Sequence, residues 1–364
     1  MRDGVGWVRD GAQYPAMRPL TQAHIEEMGP TPVVLSENNN GVEKSWFYTS
    51  TASAGAAYGL IGALVTTAMD AIINAGPSAR AQKAANEVAE LMPVDALNAS
   101  LAAQLRLQVA AEGAAGVAYS DVQSMQRLTA EGALEDAVEI NTRYTLSEDS
   151  STLRVIAYAV YQNAEVPYAT PYTFEGSVPR PEREGPAYRN TFTYYSTQLP
   201  VPTLTPELRE RLVASVEDSA RDEAGVLPTE GSDGYSALQR ELENARDDRL
   251  TKDEIAIFLT REWLRDDGAL LRREIEQAHA FVARYVVLDM NRTAVPSFAG
   301  QDELLETSDN RVVRRIGAGV EAGSYVSSSG DVTSFSTYGN TIGIARVHNE
   351  RIDEIRSASR RATR

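Results

Sequence analysis

Two stretches in the middle of the chain alternate between apolar and polar residues and predict a β-hairpin. They are residues 139–146 and residues 152–161, and the polar run 147–151 between them is typical of a turn. A period of two places the apolar side chains on one face of a sheet, so that face is expected to be buried. Residues 188–196 are rich in aromatic and β-branched side chains and predict a third strand. The three strands favour an antiparallel meander.

Helical spacing marks the segments on both sides of these strands. In residues 94–111 the apolar stripe contains Leu97, Leu101 and Leu105, which recur every fourth position. Further helices are predicted over residues 79–91, 205–224 and 235–247. The second of these begins with a cap, a proline and an acid in the order Thr-Pro-Glu, which is a helix start signal.

The longest predicted helix covers residues 251–290. It opens on a capping box formed by Thr251 and Glu254, and Asp267-Gly268 is expected to interrupt it. Together these patterns predict an α+β fold. Its antiparallel sheet, made of the three-strand meander plus C-terminal strands, is packed with several helices.

Short apolar runs between glycines and serines predict the C-terminal strands. The runs lie around residues 312 and 325 and at residues 332–335 and 342–344, and Gly330-Asp331 is a candidate turn between two weak strands. The predicted organisation is an irregular N-terminal arm at residues 1–40 with a short strand at 33–35, a main α+β domain at 41–305, a C-terminal β-hairpin that completes the sheet at 306–345, and a basic, flexible tail at 346–364.

The most apolar segment, residues 45–69, contains no charged residue. Gly55 and Gly59 are four positions apart, a spacing that lets two helices approach closely. Two interpretations of a helix at residues 54–73 stay open: it packs in a protein core or interface, or it contacts a membrane. Only residues 54–68 are convincingly apolar, fewer than the roughly 20 that a bilayer span needs, and this favours the packed helix.

Composition and charge remove several classes of function. Of the 364 residues, 43% are hydrophobic, enough for a sizeable core. The 51 acidic and 35 basic residues give a net charge of −16, which repels a phosphate backbone, so no nucleic-acid partner is expected. The chain has no cysteine, and this excludes disulfides, thiolate catalysis and iron–sulfur clusters.

No catalytic, cofactor-binding or metal-binding residue is predicted, and no cofactor is expected. The histidines His24, His279 and His348 have no metal-ligand spacing. We expect His279 to form a surface contact with Glu276, one turn away on the same helix. The glycine-rich residues 317–323 lack the lysine and the following helix of a phosphate loop, and a bend in a strand is expected there.

Neighbouring carboxylates, such as Asp266 and Asp267, are frequent in a chain with 51 acidic residues. A carboxylate-dependent hydrolase needs two such groups facing one cleft. Nothing local places two carboxylates in that way. The hydrolase is therefore kept as an alternative function.

Three motifs follow one another along the chain: residues 58–64, with the sequence Tyr-Gly-Leu-Ile-Gly-Ala-Leu; residues 143–147 leading to 153–155; and Tyr188-Arg189-Asn190 after Pro186. Their order resembles a family of uncharacterised exported or lipid-anchored proteins of Gram-negative bacteria. The resemblance implies a periplasmic or envelope location and carries no known activity. The chain departs from it because residues 1–4 open no apolar run, so no signal peptide is predicted, and no lipid-accepting cysteine is present.

The favoured function is that of a non-enzymatic cell-envelope or protein-interaction protein. Membrane association through the helix at residues 54–73 is a second alternative. A protein partner or self-association is expected, and Tyr188, Arg189 and Asn190 are the predicted contact residues for a partner or ligand. Tyrosine and arginine supply large contact areas at interfaces. An arginine that satisfies loop carbonyls beside a strand explains the same residues structurally.

Overall fold

The chain folds around one mixed β-sheet. The computed structural model describes residues 19–20, 22–35, 41–44, 86–112, 117–124, 137–162, 188–221, 224–232, 234–292, 302–308, 310–317 and 321–329. In these ranges helices and strands form an α+β fold, as predicted. One detail of the prediction is wrong, because the sheet contains parallel as well as antiparallel pairs.

The described elements have the following bounds. The strands are β1 (Thr31–Leu35), β2 (Val42–Lys44), β3 (Tyr119–Ser124), β4 (Ala137–Leu146), β5 (Leu153–Gln162), β6 (Tyr188–Tyr195), β7 (Glu303–Ser308), β8 (Arg311–Arg315) and β9 (Tyr325–Ser329). The helices are α1 (Gln22–Glu27), α2 (Val94–Glu112), α3 (Pro206–Ala220), α4 (Tyr235–Arg246) and α5 (Lys252–Met290). Residues 86–91 are also helical.

The predicted meander of β4, β5 and β6 is confirmed. Both strand pairs are antiparallel, with Ile140 opposite Ala159 and Ala157 opposite Phe192. Burial along β6 alternates strictly, as its sequence pattern requires, and Phe192 on the inner face is fully buried. The meander is therefore the centre of the sheet, in the order β3-β1-β4-β5-β6-β9-β8-β7.

Strand β1 contains the short strand predicted at residues 33–35, but it lies inside the sheet, although the segment around it was predicted as an irregular arm. It is parallel to β3 on one side and to β4 on the other. The register with β3 shifts between Thr31 and Val33, on either side of Pro32. Proline has no N–H for a ladder hydrogen bond, so the shift accommodates a residue that ordinarily argues against an inner strand.

Helices α2 and α5 cover one face of the sheet. The predicted leucine stripe of α2 is confirmed, since Leu97, Leu101 and Leu105 are all fully buried. Leu271 and Ile275 of α5 are buried in the same cluster. Burying a leucine side chain contributes about 1.5–3 kcal/mol, so these stripes hold the helices against the sheet.

A second hydrophobic cluster joins α3, α4 and the start of α5. It consists of Leu208, Leu212, Val216, Leu238, Leu242 and Ala245, with Phe258 of α5 packed against it. The predicted helix starts are confirmed. Thr205 caps α3 by accepting from the Leu208 N–H, and Thr251 and Glu254 form both halves of the capping box of α5.

The predicted interruption of α5 is confirmed at residues 265–268, whose backbone is not helical. Asp266, Asp267 and Gly268 follow one another with φ of +54°, +54° and +69°. L-residues adopt this left-handed region at a cost of about 1–2 kcal/mol each, which glycine avoids. Gly268 is also close to Leu91, because a Cβ on the glycine would collide with Cδ2 of that leucine.

The C-terminal strands complete the sheet through β9, which is parallel to β6. Strands at residues 312 and 325 were predicted, whereas β7 was missed because its sequence has little alternation. Of the glycine-rich residues 317–323, Gly317 and residues 321–323 are described, and they lie between β8 and β9 instead of bending one strand. Residues 318–320, the apolar segment 45–69 and all predictions for residues 330–364, including the candidate turn Gly330-Asp331 and the tail, lie outside the described residues.

Candidate functional site

The three predicted contact residues lie on β6 and face opposite sides of the sheet. Tyr188 is fully buried and Asn190 is 2% exposed, both on the face covered by α5. Arg189 lies on the other face and is partly exposed. Sequence order alone put the three together, and the pleat of the strand separates them. A contact with a partner or ligand stays a prediction.

Tyr188 and Asn190 surround the carboxylate of Asp289, in the last turn of α5. The Tyr188 hydroxyl donates to Oδ2 at 3.0 Å, and the Asn190 amide donates to the same oxygen at 2.8 Å. The Tyr325 hydroxyl donates to Oδ1 at 2.7 Å, and a guanidinium nitrogen of Arg315 lies 3.7 Å from it. The carboxylate, 1% exposed, therefore joins one helix to three strands.

Burial keeps the tyrosines of this cluster protonated. Burial raises the pKa of Tyr188 well above its ordinary value, and the Asp289 charge raises it further. The pKa of Tyr325 is raised for the same two reasons. Both phenols are therefore hydrogen-bond donors to the carboxylate at every physiological pH, and neither is suited to act as a base.

Asn190 also closes a gap in the sheet. The ladder between β6 and β9 covers only residues 192–194 of β6. Before that point the Asn190 amide donates to the carbonyl oxygen of Gly323 at 3.1 Å, and its side-chain oxygen accepts from the Thr191 N–H at 2.7 Å. One side chain thus replaces the missing ladder bonds, which gives it a structural role.

Glu274 of α5 makes a similar link about four turns earlier on the helix. It is 3% exposed, and its Oε2 accepts from the Tyr194 hydroxyl of β6 at 2.8 Å. Arg311 of β8 approaches the same oxygen at 3.7 Å, and its guanidinium lies 4.2 Å from the centre of the Tyr194 ring. Each carboxylate therefore ties a tyrosine of β6 and an arginine of β8 to α5.

His279 is buried, so the predicted surface contact with Glu276 is wrong. Its Nε2 lies 2.7 Å from the Tyr144 hydroxyl, and its Nδ1 lies 2.9 Å from Oγ of Ser100. Burial lowers the pKa of His279 to about 3, so the imidazole is neutral. Sequence reasoning missed this link because Tyr144 and Ser100 are 135 and 179 residues away along the chain.

A serine beside an imidazole can act as a nucleophile, with the imidazole as its general base. The surroundings of Ser100 and His279 do not favour this role. His279 is fully buried. Ser100 lies inside α2, where backbone N–H groups are already bonded within the helix and cannot bind an oxyanion. The Ser100, His279 and Tyr144 link holds α2, α5 and β4 together.

The polar turn between β4 and β5 is buried, although its sequence is typical of an exposed turn. Lys44 donates to the carbonyl oxygens of Ser147 and Glu148 at 2.5 and 2.6 Å. The indole of Trp263 donates to the Ser150 carbonyl at 2.7 Å. These polar groups are used to hold the turn against β2 and α5, because buried carbonyls need donors.

The described acidic and histidine side chains form no group of three that could hold a metal ion. Glu274 and Asp289 lie 15 positions apart on one helix, which corresponds to roughly 22 Å. An acid–base pair for glycoside hydrolysis needs a separation of about 5–9.5 Å. These two carboxylates are therefore too far apart to act on one bond.

The C-terminal edge of the sheet is the most exposed strand that the structure describes. Strand β7 pairs with β8 and ends the described sheet. Four of its six residues are exposed, and Leu304 is exposed by 63%. Isolated exposed leucines are common, but an edge strand adds unpaired backbone groups beside the leucine. We name residues 302–308 the β7 edge.

The residues that organise the C-terminal part of the sheet were not predicted from sequence. One feature of the sequence could have indicated that Asp289 is buried. It lies three positions after Val286 and so continues the apolar face of α5. An acid on a buried stripe requires a partner.

Among the described residues, no helix is both long and apolar enough to cross a bilayer. Comparison with protein-family models, with curated proteins and with solved structures finds no match.

Proposed function

We propose that this protein is a non-enzymatic protein-interaction protein whose contact surface is the β7 edge. The observation that carries the proposal is an edge strand with four of its six residues exposed, among them Leu304 at 63% exposure. Edge strands are used in protein recognition because their unpaired backbone groups can extend the sheet.

The buried carboxylates are already bonded to other side chains or to the backbone, and this supports an interaction function over hydrolysis. Asp289 and Glu274 each accept hydrogen bonds from tyrosines, and Glu254 is used in the capping box of α5. Catalytic carboxylates need access to a substrate and a suitable spacing. Glu254, Glu274 and Asp289 are each 5% exposed or less, so a substrate has little access to them, and Glu274 and Asp289 are too far apart to act on one bond.

The predicted location in the cell envelope stays part of this proposal. Its support is the motif order in residues 58–64, 143–155 and 186–190. Membrane contact through residues 54–73 is the alternative for the same segment. Neither location changes the expectation for the β7 edge.

Affinity capture with a matched pair of variants tests the interaction function. Leu304→Lys changes the β7 edge, and Leu107→Lys changes an equally exposed leucine on α2, at 62% exposure. We expect the wild type and Leu107→Lys to retain a shared protein partner from the native host in stoichiometric amount, and Leu304→Lys to lose it. Equal retention by all three proteins would contradict the β7 edge as the contact surface.

A screen for hydrolytic activity tests the alternative function. Purified wild type should show no turnover of glycoside, ester or peptide substrates above a heat-denatured control. Turnover that disappears when one carboxylate is replaced, in a variant that stays folded, would contradict the proposal.

A further inference from the structure

We infer that the β7 edge binds an extended, basic segment of a partner protein, which adds to the sheet as a further strand. This inference rests on the interaction function proposed above and adds the mode of contact and the chemistry of the partner. The relevant residues are Glu303–Ser308 of β7 and Asp302 before it.

Backbone geometry provides the first reason. Strand β7 is hydrogen-bonded to β8, and no described strand lies on its other side. Alternate residues of an edge strand direct their N–H and C=O groups away from the sheet, where a partner strand can pair with them. The register shift between Leu304 and Glu306 bends the strand. A bend limits the added strand to a short run and opposes extended stacking of sheets.

Side-chain exposure provides the second reason. Leu304 is exposed, and 54% of the Glu303 side chain is accessible. Leu305, which lies at the register shift between Leu304 and Glu306, is only partly exposed. When a strand adds to an edge, the backbone bonds supply affinity and the alternate side chains supply specificity. Leu304 offers an apolar contact, and Glu303 offers a charge.

Charge identifies the partner. Three carboxylates at this edge are accessible, those of Asp302, Glu303 and Glu306, with 40%, 54% and 39% of their side chains exposed. Arg314 and Arg284, which pair with Asp302 and Glu306, are also accessible, whereas Arg315, which pairs with Glu303, is 3% exposed and lies 3.7 Å from buried Asp289 as well. Among these ion-paired side chains the exposed charge is therefore negative, which favours lysine or arginine on the added strand.

The same charges disfavour a second copy of this chain as the occupant. Each copy carries a net charge of −16, so two copies repel each other. Pairing of two β7 strands would also bring their glutamates close together, and like charges on neighbouring strands are destabilising. A basic segment of a different protein meets neither cost.

Short synthetic peptides test this inference with the full chain. The probe is a fluorescent peptide of about eight residues that alternates lysine and valine, a length and composition that suit a strand. The comparison peptides replace lysine by glutamate, or carry N-methyl groups on alternate backbone amides. We expect the lysine peptide to bind about tenfold or more tightly than the glutamate peptide, with N-methylation abolishing binding.

Matched variants locate the binding site. Leu304→Lys is expected to weaken binding of the lysine peptide about tenfold, and Leu107→Lys is expected to leave it unchanged. Both leucines are about equally exposed, at 63% and 62%, so both variants should retain the wild-type denaturation midpoint. Hydrogen exchange should slow in residues 303–308 when the lysine peptide is bound, because outward-facing amides become hydrogen-bonded.

Four outcomes would overturn the inference. One is equal affinity for the lysine and glutamate peptides, and another is equal loss of binding in the two variants. The third is self-association of the wild type that Leu304→Lys abolishes, since this assigns the edge to a second copy. A natural partner that is lost on Leu304→Lys while no peptide binds would leave the interaction function standing and refute strand addition by a basic segment.

Discussion

The Tyr325 hydroxyl donates to Oδ1 of Asp289 at 2.7 Å and joins β9 to the last turn of α5. The carboxylate lies at the C-terminal end of a helix, where the helix dipole disfavours a negative charge. Hydrogen bonds from tyrosine and asparagine side chains and the nearby guanidinium of Arg315 compensate for this. Asp289 therefore joins the C-terminal strands to α5, in addition to the ladder between β6 and β9 and the contact between Glu274 and Arg311.

Replacement of Asp289 by alanine is expected to lower the free energy of unfolding by about 3–5 kcal/mol. The loss arises because buried Arg315 loses its buried counter-charge and keeps only the more exposed Glu303, and two tyrosine hydroxyls lose their acceptor. Urea denaturation measures the change. Asp248→Ala is the control, since the Asp248 side chain is 95% exposed and its pair with Arg209 is worth at most about 1 kcal/mol. Similar losses in both variants would contradict the assigned role of Asp289.

Gly268→Ala is expected to destabilise the protein more than Gly231→Ala. Both glycines have positive φ, +69° and +85°, so alanine costs about 1–2 kcal/mol of backbone strain at either position. At Gly231 nothing lies within 4 Å of an added Cβ, whereas at Gly268 the Cβ displaces Leu91. Overpacking adds about 1–3 kcal/mol there. Thermal or urea unfolding compares the variants, and equal losses would show that Leu91 moves aside at no cost.

Burial of neutral His279 is expected to make stability depend on pH in the acid range. The folded protein protonates this histidine only near pH 3, whereas the unfolded chain does so near pH 6.5. Between these values the unfolded state binds more protons, so stability falls as the pH falls. The contribution between pH 7 and pH 5 is about 2 kcal/mol.

His279→Asn removes this titration and is the comparison for the pH experiment. Urea unfolding at pH 7 and at pH 5 should show a smaller loss for His279→Asn than for the wild type, even though the variant is less stable at pH 7. Parallel losses in the two proteins would mean that His279 is not kept neutral by folding.

Thr251→Ala is expected to lower stability by about 1 kcal/mol, because the side-chain acceptor of the capping box is lost. Thr251→Ser keeps the hydroxyl and should restore most of the stability. Denaturation midpoints of the three proteins check this. A loss as large for serine as for alanine would assign the effect to the threonine methyl group instead of the cap.

Elements whose formation depends on residues close together in the sequence could be predicted. The alternation in β4 and β5, the leucines of α2 and the capping box of α5 each involve residues within a few positions of one another. Hydrophobic periodicity and capping act over that range, and this is why these elements were predicted correctly.

Features that depend on residues far apart in the sequence could not be predicted in this way. Strand β1 contains Pro32 and five residues in all, and its place inside the sheet depends on β3 and β4. The turn at residues 147–151 was predicted, but its burial depends on Lys44 and Trp263. Strand formation and burial are decided by neighbours that a local pattern does not contain.

By itself, the sequence determined the α+β class, the meander, the main helices and the lack of cysteine, because periodicity and composition suffice for these. Only the tertiary structure decided the partners of Asp289 and the position of the β7 edge. Tyr188 is 101 residues from Asp289 along the chain and 3.0 Å away in space. Such a contact follows from helix packing and strand order, which no short segment of the sequence specifies.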